Sequence, residues 1–333
     1  MPRKSRIDAA GALHHVMVRG IERGAVFQND TDRNHFLERL KEILNDTNTI
    51  CYAWALIPNH FHLLLRTGLV PISTVMRRLL TGYALWYNRK HSRHGHVFQN
   101  RFKSILCQEE AYLLELVRYI HLNPIRARLV ENLDDLGCYA YSGHSALMGR
   151  ANNPWQDTDW VLRMFGKNIA SARQAYKAFV EEGIFQGRRM DLAGGGLLRS
   201  AGGWEGVKAL REEKIYQKND ERILGDGDFV RGILALAEEA MEKRYALRSR
   251  GVDLEAIASR VSEVLGLKPE EVWASGKYRR IVEARSLLCY WAVRELGVPM
   301  SSLARKLGIS IPSVSDSVSR GHKIAEEKEY CLF

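Results

Sequence analysis

Two apolar runs only two residues apart constrain this chain more than any other feature. Cys51–Ile57 (CYAWALI) and His60–Arg66 (HFHLLLR) both read as strands, and only Pro58-Asn59 lies between them. A connection that short suits a tight antiparallel hairpin. The hairpin predicts a sheet, and the flanking segments say which kind. Leu13–Arg19 reads as a strand and Gly20–Gly24 as a turn. A helix follows from Asp30, its N-cap, to about Asn45, with Phe36, Leu37, Leu40, Ile43 and Leu44 at helical spacing. Pro71 opens a helix through about Lys90, with Ile72, Val75, Met76, Leu79 and Leu80 on one side. His91–His96 is a basic loop and Val97–Leu106 a fourth strand. The helix beginning at Glu109 ends near Asn123, because Pro124 disfavours helical geometry before it. The order β-α-β-β-α-β-α predicts an α+β fold: a ferredoxin-like split βαβ antiparallel sheet with one extra helix. Helices are expected on one face of that sheet only.

The remainder of the chain divides in two. Residues 1–145 form the first expected domain. Residues 146–250 form a helical connecting region, with helical segments at about 155–183 and 228–248. Between them, residues 191–206 carry six glycines and predict a flexible joint. Residues 251–333 read as compact and all-helical. Asp253 caps Leu254–Leu265, and Lys277–Leu296 makes a long helix. Ser301–Leu307 and Pro312–Ser319 flank the turn Gly308-Ile309-Ser310, a helix-turn-helix pattern. Small polar side chains on the second helix, among them Ser313, Ser315 and Arg320, suit contacts in a DNA groove.

Charge points to a polyanion. The net charge is +10. From Cys51 through Gln108 there is no Asp or Glu, while eight Lys or Arg fall in the same 58 residues. A solvated face normally mixes both signs, so this one is expected to meet phosphate. Arg19, Arg66, Arg77, Arg93, Arg101, Lys103 and Arg118 are the candidate contacts in this part of the chain. The five cysteines are scattered with no C-x-x-C pair, which predicts reduced structural thiols. No run reaches the length of a membrane span, and the basic N-terminus lacks an apolar core after it. A cytoplasmic protein with no membrane partner is expected.

The hairpin also carries the candidate chemistry. Alternate residues of a strand share a face, so His60 and His62 project together while Phe61 points into the opposite layer. Two imidazoles so placed are able to converge on one cation. Tyr119 and Asn123 stand at i and i+4, on one face of the helix before Pro124. A hard divalent ion on His60, His62 and Asn123, with positions left for phosphate oxygens, would set Tyr119 beside a bound phosphate as nucleophile. A phenol is a weak nucleophile at neutral pH, and a metal drawing charge from the phosphate offsets this. His94-Gly95-His96 is a competing pair in a basic loop. His14 and His15 are adjacent and face opposite ways. His121 lies on another helical face from Tyr119. Tyr83, Trp86 and Tyr87 serve either base stacking or the core.

HFH on a strand, followed by a Y-x-x-x-N-P helix ending, resembles the HUH single-tyrosine transposases. LHHVMVRG, WALIPNHFHLLL, HGHVFQNRFKS and RYIHLNPIRARLV are similar to the REP-associated tyrosine transposases over about residues 8–145. The resemblance implies an endonuclease and strand transferase that binds single-stranded hairpin DNA and joins it to tyrosine. It casts Tyr119 as nucleophile, and His60, His62 and Asn123 as ligands of Mg²⁺ or Mn²⁺. Related enzymes often carry Gln where this chain has Asn123. Residues 252–325 resemble the DNA-binding domain of the replication initiator DnaA, which implies duplex DNA binding. This chain has Ile311-Pro312-Ser313-Val314-Ser315 where that family has an Asp-His-Thr-Thr-type stretch. A DNA-binding regulator that keeps the fold without cutting, and a structural zinc protein, stay open beside the enzyme. So do a monomer and a homodimer.

Overall fold

A computed structural model describes residues 11–187 and 222–332, with Ile7, Ala9, Arg189, Leu192 and Asp220. The glycine-rich stretch 191–206 lies outside the described residues, Leu192 apart. The chain forms two compact units, Met1–Leu234 and Ala235–Phe333.

The first unit is built on strands β1 (Leu13–Arg19), β2 (Ile50–Ile57), β3 (His60–Arg66) and β4 (Lys103–Cys107). They pair antiparallel in the order β2-β3-β1-β4, the ferredoxin-like α+β arrangement expected from the sequence. Helices α1 (Asp30–Thr47), α2 (Ile72–Lys90) and α3 (Glu109–His121) complete it. Asn29, not Asp30, caps α1: its side chain accepts from the Asp32 amide while Asp32 reaches back to the Asn29 amide. A fifth strand, β5 (Ile223–Leu224), runs parallel to β4. It is two residues long, too short to leave a periodic signal in the sequence.

Helices cover both faces of the sheet, not one. Phe61 packs toward α1, its ring 4.7 Å from that of Phe36. On the opposite side Leu13, Leu64 and Ile105 share a core with Leu113, Leu116, Val117 and Ile120 of α3. The second layer exists because α3 is apolar along that stripe, and the following segments extend it. Helices α4 (Asn123–Arg126), α5 (Leu133–Cys138), α6 (His144–Leu147), α7 (Thr158–Arg163) and α8 (Ile169–Glu182) add Leu136, Leu147, Val161, Tyr176 and Val180 to the same core.

A polar cluster ties this layer to α3. The Tyr176 hydroxyl lies 2.7 Å from Nδ1 of His121 and 2.8 Å from Nδ1 of His144, all three side chains being buried. Burial pushes His144 down to about 4, with smaller contributions from Arg150 and Lys177. An unfolded histidine titrates near 6.5. The neutral form that His144 favours in the fold therefore contributes its full stability above about pH 6.5, and that contribution is lost as pH falls toward 4. The span corresponds to about 3 kcal/mol at most. Urea unfolding midpoints of wild type and His144→Gln should run parallel above pH 7. Below pH 6 the wild type should lose stability faster. Identical acid slopes would remove His144 from the account.

The fourth strand begins later than the sequence suggests. Met17 faces Lys103 and Gly20 faces Phe98, so three steps along β1 oppose five along the other segment. Gln99 still donates its amide to the Arg19 carbonyl at 3.0 Å, and the surplus residues between it and Lys103 form a bulge.

In the second unit, α9 (Gly227–Ser249), which begins in the first, leads to α10 (Leu254–Leu265), α11 (Pro269–Val272), α12 (Arg279–Arg294), α13 (Met300–Leu307) and α14 (Ile311–Glu327). Gly308 ends α13 in the left-handed conformation at φ +64°, and Ser310 caps α14 through the Ser313 amide. The second helix of the pair is longer than expected. It packs along α12, where a Cβ at position 321 would strike the Ser286 carbonyl, so Gly321 permits the close approach. Among the described residues no helix is long and apolar enough to cross a membrane.

Candidate active site

Strand alternation sets His60 and His62 on the α3 side of the sheet, with ring centroids 5.3 Å apart. Nδ1 of His60 donates to Oδ1 of Asn59 at 2.6 Å, because an amide oxygen only accepts. The His60 lone pair is therefore on Nε2. Nδ1 of His62 lies 3.0 Å from Nε2 of the buried His15. Burial, then Arg19, holds His60 down at about 4. Burial, then His15 and His60, holds His62 well below the usual range. Both imidazoles are neutral at pH 7, the form that binds a metal.

His14 and His15 do face opposite ways. His14 meets Ser104 while His15 stacks beside His62 at 5.3 Å between centroids. His15 is a functional candidate that strand alternation alone does not reveal, because its link to His62 depends on the β1–β3 register. A hydrogen bond on Nδ1 fixes the tautomer and orientation of a ligating imidazole.

The last turn of α3 brings in the phenol. The Tyr119 ring stands 5.8 Å from that of His15 and 5.9 Å from that of His62, edge-on to both. Asn123 opens α4 directly afterwards. Its Nδ2 donates to the carbonyls of Tyr119 at 2.8 Å and Ile120 at 3.3 Å, so Oδ1 is the atom that would serve as a ligand. His60, His62, Tyr119 and Asn123 line one cavity of about 750 Å³, together with Arg19, Lys103 and Arg126.

The donor set fits a divalent ion loosely. Two imidazole nitrogens and one amide oxygen provide three positions, with the rest left for water or phosphate. Among the described residues there is no group of three or more His, Cys, Asp or Glu able to hold a metal. With imidazoles and no carboxylate, these residues suit Mn²⁺ better than Mg²⁺.

The predicted basic contacts separate into two groups. Arg19 and Lys103 are exposed on the cavity wall. Arg77 and Arg101 line an adjoining groove of about 790 Å³ between α2 and the segment Gly95–Phe102. Gln99, Asn100 and Phe102, from the bulge before β4, border both spaces. His96 lines the groove and His94 is exposed nearby, so this pair is not at the cavity. Arg93 sits over the Tyr87 ring at 5.7 Å, beyond either wall.

Arg66 and Arg118 are engaged elsewhere. Arg66, at the far end of β3, pairs with Glu109 and lies over the rings of Tyr52 and Trp160. Arg118 is 5% exposed, pairs with Glu115 at 2.6 Å, donates to the Phe179 carbonyl and covers the Phe179 ring. Pulling a buried guanidinium from its carboxylate costs several kcal/mol, more than one surface phosphate contact returns. Arg118 is structural here, and the partly exposed Arg66 is committed to Glu109 away from the cavity. Tyr83 and Tyr87 are buried and belong to the core, while Trp86 stacks on His35 at 3.9 Å.

On α14, Ser313 and Arg320 are exposed, but Ser315 is 2% exposed and Ser317 1%. The expectation of a groove contact by Ser315 is corrected: a side chain so buried does not reach a DNA groove. Arg320 is anchored by Oγ of Ser317 at 3.1 Å and is near Oγ of Ser286 at 3.4 Å.

Comparison with known proteins bears on the first unit. Residues 10–123 match the family model described as Transposase IS200 like. That IS200-like region is about a third of the chain. It contains both hairpin histidines and ends on Asn123. No curated protein matches the chain. A solved structure titled as a REP-associated tyrosine transposase bound to a REP hairpin aligns at 17% identity and a TM-score of 0.38. The alignment covers 48% of this chain and 91% of that one.

Proposed function

We propose that the chain is a metal-dependent single-stranded DNA endonuclease and strand transferase that cuts beside hairpins through a covalent bond to Tyr119. One observation carries this reading: two imidazoles, a carboxamide and a phenol from segments far apart in sequence meet at a single cavity. The IS200-like match over residues 10–123 supports a transposase-class activity for the same region.

A divalent ion held by His60, His62 and Asn123 would draw charge from the scissile phosphate and stabilise the departing oxygen. Oη of Tyr119 bonds to phosphorus as the bond from phosphorus to O3′ breaks. The phenolic proton passes to water, and O3′ takes one up. The products are a 5′-phosphotyrosyl chain and a free 3′-OH. The phosphodiester is kept as an ester, so a later 3′-OH attack rejoins strands and returns the phenol without a nucleotide cofactor.

Arg19 and Lys103 would neutralise phosphates flanking the cut. The groove bounded by Arg77 and Arg101 extends that path, and its Leu85 and Phe98 suit unstacked bases. In the second unit, Ser313 and Arg320 lie on the exposed side of α14, which would serve duplex binding.

The test uses the full chain, end-labelled hairpin oligonucleotides with randomised single-stranded flanks, and Mn²⁺ or Mg²⁺. A covalent protein–DNA species should resist denaturing electrophoresis and be missing when EDTA is present. Oligonucleotide binding with no such species under either ion would leave a non-cutting DNA-binding regulator.

A further inference from the structure

We propose that Arg126 is the residue that offsets negative charge at the Tyr119 nucleophile and the phosphate it attacks. This rests on the reading of Tyr119 as nucleophile. Three observations carry it. The single turn of α4 brings Arg126 back over the end of α3, where its Nη1 donates to the Tyr119 carbonyl at 3.2 Å. The guanidinium carbon then stands 5.1 Å from the centroid of the Tyr119 ring. The side chain also lines the cavity that holds His60, His62 and Asn123.

The contrast with the neighbouring arginines is chemical. Arg66 is spent on Glu109 and Arg118 on Glu115. Among the described residues no carboxylate pairs with Arg126, and its buried Nε has no hydrogen-bond partner. A guanidinium presents five N–H donors in a planar fork, and one backbone carbonyl occupies only one of them. The remaining donors match the oxygens of a phosphodiester. A cation against a phenol ring also favours the build-up of negative charge on its oxygen.

The step is the one already balanced. Oη–P forms, P–O3′ breaks, the phenolic proton goes to water and O3′ is protonated from water. Arg126 takes no proton. It holds charge where charge accumulates, in a site partly shielded from water. Its backbone contact with Tyr119 also fixes where the ring stands.

A structural role alone would predict loss of fold, and a binding role would predict loss of affinity. The experiment separates these. A hairpin oligonucleotide selected from the randomised pool for adduct formation with wild type and Mn²⁺ is used throughout. Initial rates of covalent adduct formation are measured against oligonucleotide concentration for wild type, Arg126→Ala and Arg126→Lys. Binding is measured separately by anisotropy in EDTA, and thermal midpoints are recorded. Arg126→Ala should lower the saturating rate about 10²–10³-fold, with half-saturation and EDTA binding within about threefold. Ethylguanidinium should restore at least about tenfold of the alanine variant's rate, and Arg126→Lys should fall between wild type and alanine. A saturating rate within threefold of wild type overturns the proposal. So does weakened binding at an unchanged saturating rate, or a loss that tracks a lowered thermal midpoint with no response to ethylguanidinium. Tyr119→Phe is the parallel control. An adduct that persists in it removes the parent reading, whereas its disappearance beside an unimpaired Arg126→Ala removes only the role of Arg126.

Discussion

Tyr119→Phe should abolish covalent DNA attachment while leaving single-stranded DNA binding within about threefold of wild type. The substitution removes one oxygen and nothing else. The ring contacts with His15 and His62, and the guanidinium of Arg126 over its face, all involve the ring, which phenylalanine retains. The carbonyl that Asn123 and Arg126 bind belongs to the backbone. These contacts therefore persist in the variant. Without Oη there is no atom to accept the phosphorus, so the loss is a drop to background, at least about 10⁴-fold, and not a partial slowing. Denaturing gels with Mn²⁺ and a labelled hairpin read it directly. Adduct formation at more than a few per cent of wild type would show that another residue attacks.

His62→Ala should have an effect of similar size on cleavage by a different route. His62 is 5% exposed and packs against both His15 and Tyr119, so it shapes the cavity as well as offering a candidate ligand nitrogen. Removing it also takes a hydrogen-bonding partner from the buried His15, at about 1–3 kcal/mol of stability. The half-buried His60 carries less of that burden, and His60→Ala is the cleaner companion. Both variants should weaken Mn²⁺ binding by more than about 100-fold, since even partners behind the ligands are worth 10–100-fold. The readout is Mn²⁺ electron paramagnetic resonance on the DNA-free protein, which does not depend on catalysis. Binding of single-stranded DNA in EDTA should be unchanged in His60→Ala. Wild-type Mn²⁺ affinity in both variants would remove the histidines from the metal site.

What the sequence disclosed was what local geometry controls. The two-residue gap at Pro58-Asn59 identified the hairpin. Period two aligned His60 with His62, and the i, i+4 spacing aligned Tyr119 with Asn123. Contacts created only by register or packing stayed hidden. His15 meets His62 because β1 pairs with β3 in one register, with Met17 opposite His62. Arg126 reaches Tyr119 because the chain turns through a single short helix after α3. The bulge that joins cavity and groove reflects unequal step counts on two segments about eighty residues of chain apart.

Polar residues misled wherever burial was the deciding fact. Arg118 looks like a phosphate contact in a basic chain, yet Glu115 three residues earlier holds it beneath Phe179. Ser315 looks like a groove contact on a polar helix, yet it is 2% exposed. Small polar residues serve tight packing as readily as DNA contact, and composition does not distinguish the two.

The most direct measurement is the chemical address of the attached DNA. Wild-type protein is incubated with a hairpin oligonucleotide and Mn²⁺, digested with nuclease and trypsin, and analysed by tandem mass spectrometry. The relevant tryptic peptide is Tyr119–Arg126 (YIHLNPIR), which contains a single tyrosine. A nucleotide joined through phosphate to that tyrosine is the expected result. A nucleotide on any other residue, or protein that cuts DNA and leaves every peptide unmodified, would contradict the claim that this phenol, which shares a cavity with His60 and His62, is where the strand is held.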